Sequence, residues 1–147
     1  MKKIFLCLVV LTSLIAAEAP LGVNALSVEV RTLLSQEMLS IEASMQRIFS
    51  HIVAGEYEAI TREASNIQNS FILKKELKAS ERKELHSKLS SAFIDLDRSF
   101  HETAGKLANA AEFDEKENVS KYYTQMTNKC VQCHSTYAKH RFEKFHD

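Results

Sequence analysis

Proline and glycine are nearly missing from this sequence. Among 147 residues there are three glycines and one proline, Pro20, and from Leu21 onward proline does not occur again. A chain this poor in breakers excludes folds built from many tight turns and reads as all-helical. An excess of either charge is also missing: 19 basic residues balance 19 acidic ones. The electrostatic footprint of a nucleic-acid-binding protein is therefore not there. Cysteine is scarce too, yet two of the three, Cys130 and Cys133, stand three residues apart. A hydrophobic fraction of 45% in a chain of this length indicates one globular domain.

The first 25 residues are of different material. Lys2 and Lys3 precede an apolar run from Ile4 to Leu11, extended by Leu14 and Ile15, and small residues follow. This is the pattern of a secretory signal peptide, residues 1–25. Cleavage is expected after Ala25, with Ala17 as the other site. An uncleaved anchor is the alternative, although the run is short for a spanning helix. Cleavage removes Lys2, Lys3, Glu18 and Cys7 and leaves 17 basic and 18 acidic residues in 26–147. The protein is then exported, with no stable membrane insertion. In an oxidising compartment its two remaining cysteines would form a disulfide unless something else claims them.

Four apolar stripes at helical spacing follow. The first runs Val30, Leu34, Met38, Ile41, Met45, Ile48, Ile52 and stops at Gly55. The second runs from Tyr57 through Ile60, Ala64 and Ile67 to Phe71. The third runs Leu85, Leu89, Ala92, Leu96, Phe100, Ala104, Leu107, with Ser80 as its expected N-cap. The fourth starts after Asp114, which has Glu117 at capping-box spacing, and continues Val119, Tyr122, Met126, Cys130, Cys133, His134, Tyr137. The charged stretch 72–79 is the longest expected connection. Four amphipathic helices on short connections predict an antiparallel up-down-up-down four-helix bundle over 26–147.

Cys130, Cys133 and His134 form C-x-x-C-H, the attachment signature of c-type haem. Two thiols form thioethers with the haem vinyl groups, and the adjoining imidazole binds the iron. On a helix, positions i, i+3 and i+4 share one face, so all three can reach one porphyrin. A thioredoxin-like dithiol would need strand–helix alternation, which is absent. A structural zinc site would need a fourth ligand from a distant residue such as His51 or His140. The signature therefore predicts one covalently bound haem c per chain, with His134 as the proximal ligand.

This motif near the C-terminus, on the last of four expected helices, resembles the class II c-type cytochromes, the cytochrome c-prime and cytochrome c-556 group. Tyr137, Lys139 and Arg141 beyond the motif and the turn "AGEYEA" at 54–59 are similar to that family as well. The resemblance spans 26–147; outside these residues it is one of pattern. It implies a periplasmic electron carrier, no enzyme activity, and homodimers in some members. It also implies a choice at the second axial position. In the c-556 type a methionine of the first helix binds there and closes the iron. In the c-prime type an apolar residue leaves the iron five-coordinate and open to nitric oxide or carbon monoxide.

Met38 and Met45 are the two candidates, seven residues apart and on one face. Met38 lies 17 residues before Gly55, close to the c-556 ligand position, and is the expected distal ligand. Met45 and an open site remain alternatives, and core filling is the ordinary role of such methionines. The family often has a basic residue four before the ligand; here that position is Leu34, with Arg31 one turn earlier. His51, His86, His101, His140 and His146 read as solvated. Met126, Tyr122, Tyr123 and Phe142 read as core or pocket wall. From Ser120 onward Lys121, Lys129, Lys139, Arg141 and Lys144 outweigh Glu143 and Asp147 by three charges. Such an asymmetry steers an acidic redox partner, although cations at a helix C-terminus also answer its dipole.

Overall fold

The computed structural model describes residues 22–70 and 77–145. The first 21 residues of the expected signal peptide, Phe71, most of the connection at 72–79, and His146 with Asp147 lie outside them. Among the described residues the protein is all-helical, with five α-helices and no strand. These are α1 (Val28–Ala54), α2 (Tyr57–Asn69), α3 (Ala79–Lys88), α4 (Ser91–Glu112) and α5 (Lys116–Tyr137). None of them is long and apolar enough to cross a membrane.

Helix ends follow from local chemistry. Ser27 Oγ accepts from the Val30 N–H and starts α1. Gly55 ends it at φ 72°, with the Glu56 N–H donating to His51 O and the Gly55 N–H to Ile52 O. That pair of bonds is a Schellman cap, and its left-handed residue costs glycine little. The same cap closes α4, where Glu115 N–H donates to Ala110 O and Asp114 N–H to Ala111 O. There the left-handed position, φ 54°, is held by Asp114. Replacing Asp114 by glycine removes a left-handed penalty of about 1–2 kcal/mol and adds about 0.4–1 kcal/mol of chain entropy to the unfolded state, so it is expected to stabilise the fold by about 0.5–1 kcal/mol, read as a shift of the urea midpoint.

Three sequence expectations need correction here. The third stripe is two helices. Leu89 is extended (φ −102°, ψ 143°), and Ser90 Oγ accepts from the Phe93 N–H to begin α4. Period alone missed this because Leu85, Leu89 and Phe93 stay buried at steps of four, although Ala92 of the expected stripe is exposed and Leu96 half-buried. Ser80 does not cap α3; Lys78 holds that place, its N–H donating to the Glu81 carboxylate at 2.8 Å. Asp114 does not cap α5 either, since it is spent on the left-handed turn and Glu115 takes the N-cap position.

Packing is closest between α2 and α4, then α4 and α5, then α1 and α2, whereas α3 rests lightly on its neighbours. The main core joins Ile41, Met45 and Ile48 of α1, Ile60, Ala64 and Ile67 of α2, Phe100, Ala104 and Leu107 of α4, and Val119 and Met126 of α5. Burying each of the larger side chains contributes about 1.5–3 kcal/mol. A second cluster joins Leu26 and Val30 to Leu77, Leu85, Leu89, Phe93 and Ile94. These two clusters matter for the site, because the C-x-x-C-H segment touches both.

Candidate functional site

Cys130, Cys133 and His134 lie on the last two turns of α5. Cys130 packs against the main core, and Cys133, with Tyr137, packs against the second cluster. Tyr137 meets Phe93 edge-on at 5.2 Å. Both thiols are free and half-buried. Burial raises both out of the thiolate range. Cys133 is pushed up to about 12, by burial first and then by the negative charges of Asp97 and Cys130.

His134 is half-buried as well. Desolvation holds its imidazolium below the usual range, the Arg141 charge adds to this, and Glu42 of α1 opposes both. A neutral imidazole is the ligating form. The donor set thus fits a c-type haem on this chain's own chemistry: two unpaired thiols and a neutral imidazole within five residues of one helix. Among the described residues there is no cluster of three or more His, Cys, Asp or Glu suited to a bare metal ion.

Beside the motif is a narrow recess lined by Val30, Leu34, Leu77, Leu85, Leu89, Phe93 and Asp97. Its walls come from α1, α3 and α4, and the second cluster that forms them is the one Cys133 joins. Apart from Asp97 the lining is apolar.

Met38 is half-buried and, like Cys130, packs on the main core. Met45 is buried deeper, and Tyr123 of α5 donates its hydroxyl to the Met45 carbonyl at 3.3 Å. The Tyr123 ring lies 6.3 Å from that of Phe49. Met126 is fully buried.

Sequence reasoning missed a buried polar cluster. His101 was expected at a solvated face; it is 4% exposed. Its Nδ1 donates to the Ile67 carbonyl at 2.6 Å. Its Nε2 faces Glu37 Oε1 at 3.6 Å and Asp97 Oδ1 at 3.8 Å, and both carboxylates are buried. Burial pushes the Asp97 carboxyl up to about 7. The spacing could have shown it: Asp97 and His101 step by four along the same face as Ile94, Ala104 and Ala108. Of the other histidines, His51 pairs with Glu56 at 2.6 Å, and His86 and His140 are exposed.

The basic residues near the motif divide. Lys121, Lys139, Arg141 and Lys144 are exposed, but Lys129 turns inward and donates to Ser99 Oγ of α4 at 2.6 Å. Lys129 is thus a strut between helices rather than a free surface cation. Set beside models of protein families, curated proteins and solved structures, the chain matches none of them.

Proposed function

We propose that this chain is an exported, monohaem c-type cytochrome that carries electrons and has no enzymatic activity. Its third bundle arm is α3 and α4 together, so that the five helices trace the up-down-up-down course of a four-helix bundle. The observation that carries the reading is the state of the C-x-x-C-H segment. Its two thiols are unpaired, burial holds its imidazole toward the neutral form, and Cys133 packs on the apolar cluster that walls the recess.

Cys130 and Cys133 would hold the haem by thioethers, with His134 as proximal iron ligand. The bound haem supplies a one-electron iron couple. The protein's own residues do the rest. Val30, Leu34, Leu85, Leu89 and Phe93 keep water from the ring and lower the local dielectric. The lightly packed α3 is the wall with least to lose in making room.

Register supports Met38 as the distal ligand. Tyr123 is level with Met45, to which it is hydrogen-bonded. Seven residues back along α1 lead to Met38, and seven onward along α5 lead to Cys130. Both steps cover about 10 Å of helix, so counting from that bond brings Met38, rather than Met45, nearer the Cys130 end of the motif. A thioether opposite an imidazole is an axial pair of electron-transfer haems and raises the potential.

The exposed cations Lys121, Lys139, Arg141 and Lys144 suit an acidic redox protein as partner. The protein would work in the periplasm, without nucleic acid and without a membrane span of its own; a homodimer fits the family resemblance. Acidified acetone is the test. The haem is expected to stay on the denatured chain, and the double substitution Cys130→Ser, Cys133→Ser is expected to abolish this. Haem that extracts freely from the wild type would overturn the proposal.

A further inference from the structure

His134 has a neighbour that the motif does not contain. Beyond α5 the Ala138 N–H donates to the His134 carbonyl, and the chain turns back through two short 3-10 segments, Lys139–Arg141 and Glu143–Phe145. This brings Phe142 over the imidazole. The two rings are stacked with centroids 4.3 Å apart and planes 12° from parallel. The Phe142 backbone is tied on both sides, its N–H donating to Lys139 O and its carbonyl accepting from Phe145 N–H, each at 3.0 Å.

The last torsion of a histidine side chain is broad, so its ring turns unless something holds it. Histidines that bind metals are usually held by a hydrogen bond from the second ring nitrogen. Here a flat hydrocarbon ring covers one face of the imidazole. The lone pairs of an imidazole lie in the ring plane, so a partner on its face leaves the nitrogens free to bind. Stacking of this kind is worth about 0.5–1.5 kcal/mol, enough to bias a ring between orientations by roughly two- to tenfold.

We propose that Phe142 is the positioning residue for His134, its stacked ring setting the plane in which the imidazole meets the iron. This rests on the haem reading above. Phe142 is 38% exposed and belongs to neither core cluster, so its removal leaves the fold's interior intact.

The test uses the full chain matured with haem, as wild type, Phe142→Leu and Phe142→Tyr. The haem-methyl proton resonances of the oxidised protein report the orientation of the axial imidazole plane. Phe142→Leu is expected to redistribute them, and Phe142→Tyr, which keeps a flat ring, to restore the wild-type pattern. A merely structural role would lower the melting temperature of Phe142→Leu without moving the methyl pattern, and that result would overturn the proposal. Failure of the underlying reading looks different: the wild type itself would then carry no covalent haem, and the positioning role would fall with it.

Discussion

Met38→Ala is expected to convert a closed, low-spin iron into a high-spin iron that binds carbon monoxide at once. Wild type should show the weak far-red charge-transfer band of a sulfur–iron bond when oxidised, and the variant should lose it. The expectation follows from register. Met38 and Cys130 both pack on the main core, and the charge of Glu42, one turn beyond Met38 on α1, reaches His134. Met45 lies two turns away under Tyr123, and its side chain is already enclosed by the core. Met45→Ala is therefore expected to leave the spectrum unchanged and to cost about 2–5 kcal/mol of stability, as core truncations do. This pair of variants separates ligand from filler. A wild-type protein that is high-spin and takes up carbon monoxide without delay would assign the chain to the five-coordinate, gas-binding kind. Met45→Ala changing the spectrum while Met38→Ala does not would exchange the roles of the two methionines.

His101→Leu is expected to destabilise the fold by roughly 3–5 kcal/mol, the usual cost of removing one member from a buried charged group. It strips the Ile67 carbonyl of its 2.6 Å donor and takes the imidazole away from Glu37 and Asp97. Urea unfolding at fixed pH measures the loss directly. A change below about 1 kcal/mol would mean that the cluster tolerates the loss of its centre.

The same cluster makes stability depend on pH. Burial raises the Asp97 carboxyl from 3.8 to about 7. Between those values the folded protein holds a proton that the unfolded chain has released, so stability falls as pH rises through that window. A full shift of that size corresponds to about 4 kcal/mol lost above the window. That figure is a ceiling, since His101 Nε2 lies 3.8 Å from Asp97 Oδ1 and any positive charge on it favours the carboxylate. Glu37 from α1 and Cys133 from α5 also face the group. Asp97→Asn should flatten the slope between about pH 4 and pH 7 in urea titrations, and an unchanged slope would assign the dependence to other groups.

Much of the helical architecture was legible in the residues themselves. An apolar side chain every three or four positions leaves one way to bury a stripe, and near-absence of proline and glycine leaves nothing to interrupt it. The end of α1 could be read for the same local reason, because Gly55 can turn left-handed without a Cβ penalty. The placing of Cys130, Cys133 and His134 on one helix was legible at the same level, because donor type and helical spacing are properties of five consecutive residues.

The rest needed the third dimension. The division at Leu89 and Ser90 keeps an apolar residue every four positions through Phe93, so periodicity does not detect it; the extended backbone and the Ser90 cap show it. His101 and Lys129 look solvated in a one-dimensional reading because both are polar. Burial of His101 is decided by Glu37, Asp97 and Ile67 converging from three helices, and the inward turn of Lys129 by Ser99 across the α4–α5 interface. Met38 and Met45 lie on one face of α1, and only the fold shows that Met45 is enclosed by the core while Met38 is half-buried. Local sequence determines which groups a helix presents and on which side. Which of them meet depends on how far each helix slides along its neighbour, and that is decided by packing between residues distant in the chain.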